Sequence, residues 1–363
     1  MASNSFGNHF RVTTWGESHG PMMGVVIDGC PAGLRISEET LQHALALRSP
    51  GRNEFTSPRK ESDQARIVSG VFEGKSTGAP ISILIPNKDA RSSSYEPIKH
   101  LVRPGHANAA YIEKYGLFDY RGGGRASARE TACRVAAASI ADALLDHHGI
   151  LCSAYLQAVT GYHPTPKHLD EVVPFDAIVK SPVFAAYLDD EAAICKAVAQ
   201  AKDMGDSLGG IVAFQAQHVP AGLGDPVYEK LEACLAKAML SIPASKGFEI
   251  GEGFQAAHLH GSQNNDLLDP DSQTLATNHA GGTLGGISSG QMIAGRVAFK
   301  PTSSIRKTQE TLTLAGDKSS FTLPEGSRHD PCVAVRAVPV VRAMLSLSLA
   351  DALLMQRLAR VSQ

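Results

Sequence analysis

The sequence predicts an α+β fold, a single domain spanning residues 1–363 in which small-residue helices pack against sheets. Three observations point there. Strand-like and helix-like segments come in blocks, without the regular strand–helix period of a doubly wound sheet. The longest helical stretches are rich in alanine and leucine, so they can approach their neighbours closely on most sides. The 34 glycines gather at turns, and no fixed-period repeat, low-complexity tract or linker divides the chain.

Taken in order, Phe10 to Thr14 and Val25 to Asp28 are short apolar strands around a Gly-Glu-Ser-His-Gly-Pro turn. Ser37 to Leu47 is a helix with Ser37 as its N-cap. Ser49 to Asp63 is a polar loop. Ala65 to Phe72 and Ile81 to Ile85 are paired strands, with Gly74 and Gly78 in the turn between them. Lys88 to Asn108 is a long polar connection, and connections of that length are often functional. Ala126 to His148 is a long helix closed by Gly149. Cys152 to Val159 and Ile211 to His218 are strands, while Asp189 to Lys202 and Pro226 to Leu240 are helices. Ala256 to His260 is a short strand, Asn264 to His279 a loop, and Asn278 to Gly290 a glycine- and serine-rich stretch. Gln291 to Phe299 is a strand leading into Lys300 to Ser304. Arg306 to Leu323 is a hairpin turning at Gly316 and Asp317, and Val338 to Val361 is the final helix.

A hydrophobic fraction of 43% supports a sizeable core. The formal net charge of -2 and a pI near 6.7 argue against bulk attraction to nucleic acid or to an anionic membrane. Any anion site must therefore be built from local cations. The six cysteines are scattered, with no Cys-x-x-Cys pair, which disfavours a disulfide framework or structural zinc and favours a reducing cytoplasm. The first ten residues are polar, unlike a secretory signal, and no run looks long and apolar enough to span a bilayer.

The most informative stretch is Arg121 to Arg134. Its glycine run lets the backbone approach a ligand, and the helix expected after it opens with amide N–H groups that attract anions. Arg125 and Arg129 are four residues apart, which places both guanidinium groups on one helical face, with Ser127 between them. His19, flanked by Ser18 and Gly20, and His106, emerging from Arg103-Pro104-Gly105, are candidate proton donors near neutral pH. Lys300, Pro301, Thr302, Ser303 and Ser304 offer a cation, hydroxyls and free amides suited to a phosphate, without the spacing of a Walker loop. Arg328, His329 and Asp330 set a cation and a carboxylate side by side before the last helix. No compact set of metal ligands is apparent.

Together these segments resemble the chorismate synthase family. The likeness is carried by Gly16 to Pro31, Gly122 to Ile140 and Arg328 to Met344. Arg103 to His106, Lys300 to Ser304 and Asn278 to Gly290 agree as well, in one register from about Phe6 to Leu354. The resemblance implies a helical layer between antiparallel sheets, assembled as a homotetramer. It implies conversion of 5-enolpyruvylshikimate 3-phosphate to chorismate and phosphate within the shikimate pathway, with reduced FMN required and no net redox change. It further implies that His106 protonates the reduced flavin, that His19 assists the departing phosphate, and that Asp330 helps remove the ring proton, with Ser18 and Ser127 as proton relays. Arg48, Arg129 and Arg328 would hold substrate anions. The FMN cradle would be Arg125, Ala126, Ser127, Pro243, Ala244, Gly285, Lys300 to Ser304 and Arg328. NADPH, a possible external reductant of the flavin, would touch Arg48 and the position held by Glu54, with Arg52 the nearest cation.

The chain departs from the family's usual pattern at four places. Leu47 stands where a second arginine usually precedes Arg48, and Glu54 stands in place of an arginine. Asn108 replaces a frequent aspartate, a change expected to bear on how His106 is oriented. Arg342 replaces a usual glutamate, which suggests a changed surface or subunit contact. Two other classes fit parts of the pattern. One is a metal-dependent phosphohydrolase using Glu17, His19, His106 and Asp330. The other is a paralogue that binds flavin or phosphate without turnover, against which the intact His19, His106 and Asp330 argue.

Overall fold

The alternating apolar residues of the N-terminal third form an antiparallel sheet. It contains β1 (Ser5–Phe6), β2 (Arg11–Trp15), β3 (Met22–Asp28), β4 (Arg66–Ile67) and, beyond a small ribbon of β5 (Val71–Phe72) and β6 (Lys75–Ser76), β7 (Ile81–Pro86). The strand order is β1-β2-β3-β7-β4, with every neighbour antiparallel. Ile81, Ile83 and Ile85 are fully buried while the residues between them are half-buried, the period of two expected of a strand with one face in the core. The structure is a computed structural model and describes residues 4–57, 59, 61–89, 92–164, 171–324, 329–357 and 359.

A second antiparallel sheet is ordered β10-β13-β9-β8. Its strands are β8 (Leu151–Val159), β9 (Gly210–Gln217), β10 (Ser245–Ile250) and β13 (Ile293–Phe299). Two hairpins stand outside it: β11 (Thr283–Leu284) with β12 (Ile287–Ser288), and β14 (Gln309–Leu312) with β15 (Lys318–Phe321). The helices are α1 (Glu38–Arg48), α2 (Asn108–Tyr115), α3 (Thr131–His147), α4 (Phe175–Lys180), α5 (Leu188–Asp203), α6 (Leu231–Leu240), α7 (Gly261–Asn264) and α8 (Val333–Gln356).

Between the sheets lies a layer of helices. α3 rests on β2, β3 and β7, and α8 packs against α3 and covers β8, β9 and β13. α1 sits beside both, and α6 fills the space between α8 and β10. The expected α+β architecture is therefore present. Alanine makes it possible: Ala132, Ala136, Ala137, Ala138 and Ala141 leave α3 slim, and all are buried. α8 is apolar on nearly every side, as a helix enclosed by neighbours must be. By length and composition it would pass for a membrane span, contrary to the reading of the sequence, yet 72% of that window is buried inside the protein. Near its end, the Asp351 carboxylate accepts the backbone N–H groups of Asn8, His9 and Phe10 at 2.6–3.0 Å, fastening the last helix to the first strands.

Some elements differ from expectation. Gly253–His258 is a 3₁₀ turn, with no strand at Ala256 to His260. The helix expected from Ala126 begins at Thr131, preceded by two 3₁₀ turns, Gly124–Ala126 and Ala128–Glu130, with extended backbone at Ser127 between them. β10, α2 and α4 fall where the sequence shows no clear period.

Candidate functional site

The turn joining β2 to β3 sets the first side chains. Gly16 takes φ +90, and a Cβ there would lie 2.6 Å from the Met22 carbonyl oxygen, so only glycine closes this turn. Asn87, just past β7, donates its amide to the carbonyls of Glu17 (3.0 Å) and Gly20 (2.8 Å) and pins the loop. Ser18 is buried, with Oγ 3.1 Å from His19 Nδ1. The imidazole of His19 is seated on Gly122. A Cβ at that glycine would fall 2.4 Å from Nδ1, so the glycine run makes room for a histidine.

Arg103 connects this histidine to the second one. Its guanidinium donates to the Gly122 carbonyl (3.2 Å) and to Ser304 Oγ (3.3 Å). Three residues on, His106 Nδ1 accepts the backbone N–H of Asn108 at 3.3 Å, which leaves the proton of the neutral ring on Nε2. Lys300 Nζ donates to the Gly105 carbonyl at 2.8 Å, and the Lys300 N–H donates to Ala244 at 3.0 Å, so Pro243 and Ala244 adjoin the Lys300 to Ser304 segment. Burial, with Arg103 and Lys300 adding their charge, pushes the His106 imidazole down to about 3. Burial likewise lowers Arg103. Among the described residues, neither Arg103 nor Lys300 meets a carboxylate.

Asp330 lies along the same polar network. Its carboxylate accepts the Ser57 N–H at 2.8 Å and pairs with Arg336 at 2.7 Å, and Arg336 also donates to the Arg48 carbonyl. Arg48 and Arg129 converge on the carboxylate of Asp63, and Arg129 Nε donates to Asn87. That returns the chain of contacts to the His19 loop. On the other side, Ser207 Oγ donates to the Thr302 carbonyl and the Leu208 N–H donates to Pro331, next to Asp330. The contacts thus close a ring through His19, Gly122, Arg103, Ser304, Thr302, Pro331, Asp330, Arg336, Arg48, Asp63, Arg129 and Asn87.

The ring brings together the His19 turn, Arg103 to His106, the turn at Arg129, Lys300 to Ser304 and Asp330. The family described as chorismate synthase matches residues 10–354. A chorismate synthase of Protochlamydia amoebophila is 54% identical over 367 residues, covering 100% of both chains. One from Methanosarcina mazei is 50% identical, covering 98% of this chain and 97% of its own. A solved structure titled as the crystal structure of chorismate synthase superposes with a TM-score of 0.76 at 29% identity, covering 96% of this chain and 92% of that one. This chain belongs to the chorismate synthase family.

Within this chorismate synthase fold, the expected residues separate into groups. His19, Ser18, His106, Asp330, Arg48, Arg129, Pro243, Ala244 and Lys300 to Ser304 lie on the ring or next to it. Ser127 caps the turn at Arg129 by accepting its N–H at 3.3 Å, with Ala126 just before it. Arg125 does not share a helical face with Arg129, because the chain turns at Ser127. Arg125 instead donates to Gly16 and Thr14. Gly285 lies in the β11–β12 hairpin near the start of α6, where Leu231 donates to Gly286, whereas Pro243 and Ala244 follow the end of that helix. Ten residues of α6 separate the two places by about 15 Å. Arg328 lies outside the described residues.

Arg48 and Arg129 are almost wholly buried and spend most of their donors on Asp63 and nearby oxygens. Glu54 is exposed and joined to Arg48 by no contact, while Arg52 donates to the carbonyls of Val179, Ser181 and Pro182 and stacks over Phe184. The Asn108 side chain does not orient His106. It accepts from the Arg103 N–H and donates to Leu101, and only the backbone of Asn108 meets the imidazole. Arg342 is partly buried. It pairs with Asp142 at 2.9 Å, donates to the Cys152 carbonyl and lies over the Phe175 ring, joining α8 to α3 and β8. Among the described residues no group of three or more His, Cys, Asp or Glu is placed to hold a metal ion, so Glu17, His19, His106 and Asp330 do not form a ligand set. Asp63 and Arg103 are site residues that the reading of the sequence did not assign. Asp63 gives no local signal in a polar loop, but Arg103 was marked by its place three residues before His106.

Proposed function

We propose that this protein catalyses the 1,4-anti elimination of phosphate from 5-enolpyruvylshikimate 3-phosphate to give chorismate, as a carbon–oxygen lyase dependent on reduced FMN. The observation that carries this reading is the pair Arg103 and Lys300. Two cations flank His106 with no carboxylate among the described residues to neutralise them, on the same ring as His19, and such a place favours a multiply charged anion. Full-length relatives bearing the chorismate synthase name support the activity.

The Lys300 to Ser304 segment fits a phosphate-bearing flavin. Thr302 Oγ1 and Arg103 Nε are buried with no partner among the described residues, so both have capacity left for a ligand. When bound, reduced FMN supplies electron density to the breaking C–O bond. The protein's own part is to hold anions and manage protons. Lys300, Thr302, Ser303 and Ser304 would hold phosphate, with Pro243 and Ala244 behind them. Arg103 would meet an anion, while Arg48 and Arg129 are held by Asp63. His19, with Ser18 on Nδ1, is placed to give a proton to a departing phosphate. His106 presents Nε2–H, and Asp330 is the carboxylate available to accept a proton. The proposal extends to a homotetramer in the cytoplasm, acting in the shikimate pathway of aromatic amino-acid biosynthesis. An external donor, NADPH among the candidates, would reduce the flavin, and no nucleic acid or membrane takes part.

The test is anaerobic incubation with dithionite-reduced FMN and 5-enolpyruvylshikimate 3-phosphate. Chorismate should appear, and should not when flavin is omitted. No chorismate with reduced FMN present would overturn the proposal.

A further inference from the structure

The long connection between β7 and α2 holds a side chain that the mechanism above does not use. Residues Ser92–Ile98 form a 3₁₀ segment, and Tyr95 projects from it into the ring of contacts. Its ring lies edge-on to the His19 imidazole, with centroids 5.2 Å apart and planes at 85°. The Arg103 guanidinium lies 5.7 Å from the same ring's centroid. Both arrangements are attractive: aromatic pairs favour the T-shape, and a cation near an aromatic ring is drawn to the face.

On its other edges His19 meets Ser18, at Nδ1, and Gly122, which carries no side chain. Tyr95 itself is firmly backed. It packs against a separate small core of Ile98, Leu101 and Phe321, with Leu323 beside it. That core is anchored to the β14–β15 hairpin, because Val102 donates to Leu312 and Leu314 donates to His100.

We propose that Tyr95 is a positioning residue whose aromatic ring fixes the His19 imidazole and the Arg103 guanidinium relative to each other. It acts through these two groups by shape and π-face, so the hydroxyl is dispensable and the ring is not. The inference rests on the functional reading above and adds to it a residue shared by the proton donor and an anion-holding cation.

The experiment compares Tyr95→Phe with Tyr95→Leu in the full chain. It measures steady-state kinetics with reduced FMN and, separately, the ring ¹⁵N resonances of His19 without any ligand. Tyr95→Phe should keep kcat and KM within about twofold and leave the His19 resonances in place. Tyr95→Leu should lower kcat by about tenfold or more, raise KM for the anionic substrate, and move the His19 resonances toward rotationally averaged values, on the scale of a small misplacement of catalytic groups. If Tyr95→Leu does not fold, Phe321→Leu loosens the backing of Tyr95 without touching the site and should give an intermediate loss with the same shift at His19. Unchanged His19 resonances in Tyr95→Leu, or in Phe321→Leu where that variant stands in, would overturn the proposal. So would a Tyr95→Phe variant as impaired as Tyr95→Leu. The resonance measurement needs no turnover, so it decides this point even if the proposed reaction were not observed.

Discussion

Replacing Asp63 by asparagine keeps the shape of the side chain and removes its charge. In the native protein this buried carboxylate accepts from Arg48 at 2.8 Å, from Arg129, and from the Ser49 hydroxyl at 2.8 Å. Asp63→Asn leaves two guanidinium groups, 1% and 4% exposed, beside each other without their shared counter-charge. Breaking a buried ion pair from one side costs about 3–5 kcal/mol. With an unfolding entropy of about 2.1 cal/mol/K per residue over 363 residues, that cost corresponds to a melting point about 4–7 °C lower, read by scanning calorimetry. The pH dependence follows from the direction of the shift. Burial alone would raise the Asp63 carboxyl, but Arg48 and Arg129 outweigh it and hold the group below its ordinary value. Its contribution is therefore complete above the unfolded value of about 3.9 and fades as pH falls through the lower folded value. The gap between wild type and variant should be constant from neutral pH down to about 4 and close only in stronger acid. A variant melting within about 1 °C of wild type at neutral pH would refute the reasoning, because the least cost expected is about 3 kcal/mol.

Other perturbations probe the rest of the ring. His106, pushed to about 3, should stay neutral in the free protein as pH falls well below the ordinary histidine value of about 6.5, which an NMR titration can follow. The stability tied to that neutrality is present above 6.5 and lost on acidification toward about 3. His106→Ala should lower turnover about a hundredfold, and turnover like wild type with reduced FMN would remove His106 from the chemistry. Gly122→Ala places a methyl group 2.4 Å from His19 Nδ1 at φ +82 and should lower kcat about a hundredfold by displacing the imidazole. An active Gly122→Ala enzyme would show that His19 does not need that seat. Arg342→Glu sets a second carboxylate against Asp142 and should cost about 3–5 kcal/mol by denaturant titration, with part regained by adding Asp142→Arg. No loss in the single variant would mean that the α3–α8 pairing is solvated.

Much of this architecture could be read from residue patterns. Ser37 is the N-cap of α1, its Oγ accepting the Thr40 N–H, because a serine before an acidic first turn has few better uses. The β14–β15 hairpin turns where Gly316 and Asp317 mark it. The start of α3 was not legible, since Ser127 competes with the helix by capping a single 3₁₀ turn, and that local choice separates Arg125 from Arg129. In the site, the two histidines and the Lys300 segment stood out because glycine and proline frame them. Asp63 did not, because its importance lies in two arginines brought to it from α1 and from the turn before α3. Arg342 looked like a surface charge because its partners, Asp142, Cys152 and Phe175, are distant in sequence and meet it only after packing.

The placement of α8 has a consequence for how the protein is made. In the chain α8 follows every other element described here, yet the second sheet and α3 rest on it, and its Asp351 holds the amides of Asn8 to Phe10. Until α8 has been made, the oily faces that it covers on α3 and on the second sheet have nothing to lie against, and they must be kept from sticking to other chains. Loss of α8 would therefore leave an insoluble product, where a peripheral segment could be cut with little effect.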